Sequence, residues 1–232
     1  MDIGKCVLPD REIVPLSSGI WSAISSEQRF DSYDKIARAY DWLVGNSLYN
    51  RIIWGCWANT YSNAARSELA QARDGLIIDV GCGSLVFTAK PYRSAALDRL
   101  VLFDRSLGMM KRGQSRFPAG LFVQGDASDT PFRDALFTHV LAWGLLHIVG
   151  SKSALFSEIR RISKPGAVVT ISSLVLSERR IGNRMLRFLH SKGEAAQPET
   201  SDEVSTAFEE HFVVTERKQQ GSMLFLTGRK DD

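Results

Sequence analysis

Cysteine is scarce: Cys6, Cys56 and Cys82 are the only three in 232 residues. They are too few and too scattered for a disulfide framework or a CxxC metal site. A reducing, cytoplasmic compartment suits such a chain. No apolar run approaches the roughly 20 residues of a membrane span. No basic stretch followed by an apolar one opens the chain, so no secretory signal is read there. Charge of one sign is scarce too. Lys and Arg number 29 against 26 Asp and Glu, leaving a net +3 and a pI of about 8.8. That balance gives no reason to expect nucleic acid as a partner. The four histidines, at 139, 147, 190 and 211, lack ligand spacing, and no metal is implied. Internal repeats and low-complexity tracts are missing.

What is present suits one globular domain with a sizeable core, at 44% hydrophobic and 24% charged residues. Residues 1–29 mix Pro, Ser and isolated apolar residues without periodicity. They read as a loosely ordered arm in which Ile20, Trp21 and Ile24 could dock. Residues 30–72 read as a helical cap. Tyr33, Ile36, Ala37 and Tyr40 recur at helical spacing, as do Leu48, Ile52 and Ile53. The aromatics there (Tyr33, Tyr40, Trp42, Tyr49, Trp54, Trp57 and Tyr61) are either core packing or the lining of a substrate pocket. Residues 73–232 form the core. Strands are expected at 76–80, 100–103, 121–124, 138–142 and 167–174, and helices at 84–95, 106–116 and 151–163. This alternation predicts a doubly wound, mostly parallel α/β sheet. Val213-Val214 and Met223–Leu226 follow without a helix between them, which adds an antiparallel pair at the edge. A lid insertion is expected at about 177–196. Its apolar stripe, Ile181, Met185, Phe188 and Leu189, faces away from Arg180, Arg184 and Arg187. That helix is either an amphipathic surface helix or a second lid element that attracts an anionic or amphipathic molecule.

The stretch Leu76–Ser84 is a short apolar run ending in Asp79-Val80-Gly81-Cys82-Gly83. It reads as a buried parallel strand entering a glycine turn. Gly81 and Gly83 allow a sharp turn and close approach of backbone to a ligand. Asp79 can accept hydrogen bonds from an ammonium or hydroxyl group. A dinucleotide fingerprint would need Gly at position 86, where Val86 stands, and no Gly-Lys-Ser/Thr follows for a phosphate loop. Strand two ends at Asp104, which can bridge ribose hydroxyls or cap the next helix. Strand three is followed by Gly125-Asp126-Ala127. Asp126 can accept from an adenine amine or serve as a turn residue.

Over residues 30–175 the chain resembles the class I S-adenosylmethionine-dependent methyltransferases, in the branch that includes ubiquinone and menaquinone methyltransferases. Ile78–Gly83 is similar to the family's first motif. Phe103-Asp104-Arg105-Ser106 with Met109-Met110 is similar to the second, and Gly125-Asp126-Ala127 with Pro131-Phe132 to the third. Arg160–Gly166 resembles the turn before strand five, and Tyr33–Ala37 with Tyr40-Asp41 the entry helix. The resemblance implies a Rossmann-like, seven-stranded sheet and S-adenosylmethionine as cofactor. It implies that Asp79, Gly81 and Gly83 hold the methionine end and Asp104 the ribose. Arg105 and Met109 then lie against the adenine, Asp126 and Ala127 meet its amine and ring, Trp143 and Gly144 flank the cofactor, and Tyr40 closes over it. Two departures stand out. Leu85 occupies the place of a usual third glycine, so its side chain must point away or the loop must reshape, and Ala167 replaces a second glycine.

Methyl transfer needs a base only if the acceptor must lose a proton. His147, after strand four, is the candidate base; its other reading is a structural histidine in that loop. The aromatic cap and the 181–189 stripe suggest a small apolar or aromatic acceptor. A non-catalytic protein binding S-adenosylmethionine or S-adenosylhomocysteine is the alternative. The oligomeric state is left open, a homodimer included.

Overall fold

The computed structural model describes residues 2–16, 19–25, 41, 43–72, 74–95 and 98–231. Tyr33, Ile36, Ala37, Tyr40 and Trp42 therefore lie outside the described residues. Among the described residues the strands are β1 (Val14–Pro15), β2 (Trp21–Ser22), β3 (Leu76–Val80), β4 (Leu100–Asp104), β5 (Leu121–Gln124), β6 (Phe137–Ala142), β7 (Ser163–Leu174), β8 (Val213–Gln220) and β9 (Met223–Arg229). The helices of six or more residues are α1 (Asn59–Gln71), α2 (Ala89–Ser94), α3 (Leu107–Arg116), α4 (Lys152–Ile162), α5 (Arg180–Ser191) and α6 (Ser201–Glu209).

The strands form one sheet in the order β1-β2-β5-β4-β3-β6-β7-β9-β8. β2 through β7 pair in parallel across that order, while β9 runs antiparallel to both β7 and β8. This is the expected mostly parallel α/β sheet with an antiparallel edge, but it has nine strands where seven are expected. The extra two come from the N-terminal arm. Trp21 pairs with Val123 and Ser22 with Gln124, and the Ser22 hydroxyl donates to Gln124 Oε1 at 3.0 Å. Ile20 beside them is fully buried. The arm covers the edge of β5, which would otherwise present unpaired backbone groups. Two-residue strands lie below the length at which alternation can be read from sequence.

Alternation along the central strands divides the core in two. Ile78, Val80, Val101, Phe103 and Val123 face α4 and α6, through Leu155, Phe156, Ile159 and Phe208. Ile77, Leu100, Leu102 and Phe122 face α1, α2 and α3, through Leu69, Tyr92 and Met110. Both faces being buried explains the near-continuous apolar runs of these strands. The helix starts follow from capping. Ser106 accepts from Met109 N–H, Ser151 from Ala154 N–H, and Thr200 and Glu203 form a capping box.

Two local expectations change. The helix expected from residue 84 starts only at Ala89, because Leu85 adopts φ +57°, a left-handed conformation that cannot propagate an α-helix. In the cap, the regular helical spacing expected through Leu48, Ile52 and Ile53 is interrupted, and Leu48 and Ile52 are exposed. Asn50–Trp54 is a π-helical turn, whose wider repeat buries Asn50 and Trp54 and rotates Ile52 outward. The Asn50 amide donates to Val44 O at 2.6 Å and Asn46 O at 2.8 Å, which fixes that turn.

Candidate active site

The chain reverses its winding direction at β3, with β4 on one side and β6 on the other. Crevices form outside the carboxyl ends of strands at such a point. Here there is a cavity of about 430 Å³, within the range of small-molecule sites. Of the residues expected at the site, Asp79, Gly81, Gly83, Asp104, Arg105, Met109, Asp126, Ala127, Trp143, Gly144 and His147 all line it. Tyr40 lies outside the described residues.

The floor of the cavity is the turn after β3. Gly81 and Gly83 have φ +73° and +54°. The N–H groups of Gly81 and Cys82 both donate to Phe103 O, at 2.8 and 3.0 Å, so β4 carries the turn. Asp104 extends that support: its Oδ2 accepts from Gly83 N–H at 2.7 Å and its Oδ1 from Ser106 N–H at 2.8 Å. The cap role and a ligand role are compatible, since each carboxylate oxygen has two acceptor sites. Leu85 keeps the left-handed backbone that glycine adopts easily. Its side chain turns down among Ala89, Met110 and Phe122, 2% exposed.

Asp79 is fully buried. Tyr92 Oη donates to its Oδ2 at 2.7 Å, and Trp143 Nε1 donates to Tyr92 Oη at 3.0 Å. Asp79 Oδ1 has no hydrogen-bond partner. Burial pushes this carboxyl up to about 8; the Tyr92 hydrogen bond opposes the rise and Asp104 adds to it. An orphaned acceptor in a cavity floor is costly unless a donor meets it. The cavity thus leaves one polar contact open at Asp79, and beside it Gly81 and Gly83 present backbone without a side chain.

Asp126 is tied across the mouth to Arg105 at 3.0 Å and accepts from Ser128 N–H and Oγ. Burial works against ionisation, but the Ser128 hydrogen bonds and Arg105 hold Asp126 below the usual carboxylate range. Gly125 lets β5 close on β4, since a Cβ there would lie 2.5 Å from Phe103 Cζ.

The far wall is aromatic. Tyr61 stacks on Phe87 at 4.5 Å and meets Phe225 edge-on, and Phe225 in turn packs against Trp143. His147 sits here, half-buried, with Leu174 N–H donating to its Nδ1 at 3.4 Å. Burial and Lys152 push its pKa down to about 4. A neutral imidazole that accepts at Nδ1 carries its proton on Nε2, so the side chain as held is a donor. Service as a base requires Nδ1 to leave Leu174.

Sequence reasoning missed one polar cluster. Asp41 is buried against Arg112 Nε at 2.5 Å, Arg116 Nη2 at 2.8 Å and the Ser84 hydroxyl. Arg116 also donates to Ser84 O at 2.6 Å. The cluster clamps the cap, α3 and the glycine turn together. Its residues are far apart in sequence, and the Tyr40-Asp41 pair was the one available signal. Tyr92 was missed for the same reason.

Residues 78–171 match the model of a family described as a methyltransferase domain. The chain is similar to the demethylmenaquinone methyltransferase of Renibacterium salmoninarum, at 38% identity over 60% of this chain and 56% of that protein. It is also similar to the enzyme of that name in Paenarthrobacter aurescens, at 31% identity over 60% and 52%. The chain thus spans about half the length of these curated relatives. Among solved structures, a putative methyltransferase from Haloferax volcanii, in complex with its Trm112 activator, superposes with TM-score 0.69. It is 17% identical and covers 87% of this chain and 99% of its own. Phosphoethanolamine N-methyltransferase 2 of Haemonchus contortus, bound to S-adenosylhomocysteine, superposes with TM-score 0.62, at 17% identity, over 90% and 61%. At these identities the superpositions establish the fold.

Proposed function

We propose that this chain, which carries a methyltransferase domain of the class I S-adenosylmethionine-dependent kind, methylates a small apolar or aromatic molecule. The observation that carries the reading is the buried, unpartnered Oδ1 of Asp79, set in the cavity floor beside the bare backbone of Gly81 and Gly83. When bound, S-adenosylmethionine supplies an electrophilic methyl group and a neutral thioether leaving group. Every other task falls to the protein.

In this reading Asp79 receives the ammonium group. A cation there favours the ionised carboxylate, so Asp79 releases its proton as the ligand enters. Gly81 and Gly83 admit the methionine chain. Asp104, already oriented by two backbone N–H groups, takes the ribose hydroxyls. Arg105 and Met109 on one side, and Asp126 and Ala127 on the other, enclose the adenine. Trp143 and Gly144 stand between cofactor and acceptor. The wall of Tyr61 and Phe87, backed by Phe225, holds an apolar or aromatic acceptor and keeps water out. His147 Nε2–H points the acceptor by donating to one of its oxygens. The relatives' name supports an oxygenated aromatic ring as the acceptor class. The three thiols are free and buried, as suits a reducing cytoplasm.

Calorimetry with S-adenosylhomocysteine tests the cofactor half of this reading. Binding is expected in the wild type, weakened at least tenfold in Asp104→Ala and less in Asp104→Asn. Failure of the wild type to bind, or unchanged affinity in Asp104→Ala, overturns it. Label transfer from S-adenosylmethionine to a panel of hydroxylated naphthalenes and apolar phenols tests the acceptor half; absence of any labelled product from a protein that binds the cofactor sinks it.

A further inference from the structure

The outer face of the cap lobe exposes large apolar side chains. Leu48, Ile52 and Trp57 are 61%, 49% and 45% exposed, and Ile181 and Phe188 on α5 are 44% and 55% exposed. The two segments belong to one packed lobe. Arg179 Nη2 donates to Ile52 O at 2.7 Å, and Gly182 lies so close that a Cβ would sit 3.0 Å from Ile53 O. α5 is seated on this lobe through Leu186, which is buried beside Trp54 and Met223. Ile181 and Phe188 are seven residues apart and so share one side of the helix, outside that seat.

Charge is concentrated in the same place. Residues 179–193 hold five Arg and Lys and no Asp or Glu, while the whole chain is only +3. The remainder is therefore net acidic. Arg180, Arg184 and Arg187 are exposed along α5. Each exposed ring has a cation over it: Arg51 lies 5.8 Å from the Trp57 ring and Lys192 lies 5.7 Å from that of Phe188. Long cationic side chains with apolar stems, interleaved with exposed Leu, Ile, Phe and Trp, are the composition of a helix lying in a bilayer interface. A polyanion without an apolar layer would engage the arginines and leave Leu48, Ile52 and Ile181 in water. No helix among the described residues is long and apolar enough to cross a membrane.

We infer that this lobe, residues 48–57 with α5, docks onto the surface of an anionic lipid bilayer. Trp54 belongs to the lobe and also lines the cavity, so the docked face adjoins the candidate site. An apolar acceptor dissolved in lipid then has a short path to the aromatic wall. The docking itself depends on neither cofactor nor acceptor, and its failure leaves the reading of the cavity untouched.

Vesicle flotation tests it, using the full chain with phosphatidylcholine vesicles and with the same lipid mixed with phosphatidylglycerol. The protein is expected to float with the anionic vesicles, to stay behind with the neutral ones, and to be released by high salt. Arg184→Glu/Arg187→Glu is expected to weaken partitioning by roughly 30-fold or more, given the share each cation contributes near such a surface. Ile181→Ser/Phe188→Ser is expected to weaken it at least tenfold. Unchanged urea midpoints and S-adenosylhomocysteine affinity in both variants separate the docking face from folding. Equal binding to both vesicle types overturns the inference, as does retention by both variants. So does tight binding of a single-stranded RNA oligonucleotide in the absence of vesicle binding.

Discussion

Replacing Leu85 separates two effects that normally travel together. Its backbone sits at φ +57° while its side chain is 2% exposed in the core. Leu85→Ala removes the buried side chain and keeps the strained backbone, which costs about 3–5 kcal/mol by analogy with other buried leucines. Leu85→Gly removes those atoms and Cβ as well, at a further cost of about 0.5–1 kcal/mol relative to Ala. It also releases about 1–2 kcal/mol of left-handed strain that Ala retains. At an ordinary buried position Gly is the less stable of the two. Here Leu85→Gly is expected to be the more stable, by about 0.5–1 kcal/mol. Urea unfolding of the two variants side by side measures the difference, with equal m-values required for the comparison. Because Gly keeps the turn, S-adenosylhomocysteine affinity in Leu85→Gly should stay within a few-fold of wild type. If Leu85→Ala proves equal to or more stable than Leu85→Gly, the left-handed assignment is wrong and the turn is built differently.

Asp79 is held up at about 8, so between pH 4 and pH 8 the native state keeps a proton that the unfolded chain has lost; stability should fall across that window and level off above it. Asp79→Asn should abolish that slope in urea midpoints measured against pH, while S-adenosylhomocysteine affinity in the wild type should rise towards pH 8. Asp41→Asn leaves Arg112 and Arg116 facing each other without their shared carboxylate; with both guanidiniums about one-third exposed, a loss of about 2 kcal/mol is expected in chemical unfolding. Gly125→Ala drives a methyl group into the buried Phe103 ring at 2.5 Å and should cost about 1–3 kcal/mol and weaken cofactor binding, read by calorimetry. His147 is held down at about 4, so the rate profile of any transfer reaction should show no inflection near pH 6.5; a step there would show that His147 titrates freely.

The legible parts of this chain are those whose signals are local. β3 to β7 announce themselves as apolar runs because both faces of the sheet are buried, and the carboxylates near the ends of β3 and β4 and just after β5 line one cavity. Contacts that join distant segments left little trace. Trp21-Ser22 makes a strand only because Val123 and Gln124 offer an open edge. Asp41 gains its meaning from Arg112 and Arg116, some 70 residues away. Leu48, Ile52 and Ile53 recur at α-helical spacing in the sequence, and the π-turn at Asn50–Trp54 breaks that spacing. His147 lines the cavity, but its tautomer depends on Leu174 N–H, a partner that no motif names.

Leu85 illustrates why a motif can lose a residue and keep its geometry. A third glycine could serve two purposes, close approach to a ligand or a positive φ. In this turn Gly81 and Gly83 are the bare backbone that lines the cavity, and their positions are fixed from β4, through Phe103 O and the Asp104 carboxylate. Residue 85 needs only the positive φ, which Leu can adopt at a strain of a kcal/mol or two. Burial of its side chain offsets that strain if the facing helix leaves room. α3 presents Gly113 at that point, where a Cβ would lie 3.3 Å from Leu85 Cγ and 3.1 Å from Gly83 O. Side-chain volume is thus added on the turn where α3 lacks it. Gly113→Ala in the wild type should therefore be destabilising, and should be tolerated better once Leu85→Gly has emptied the space. Additive effects in that double-mutant cycle would show that the two positions do not share it.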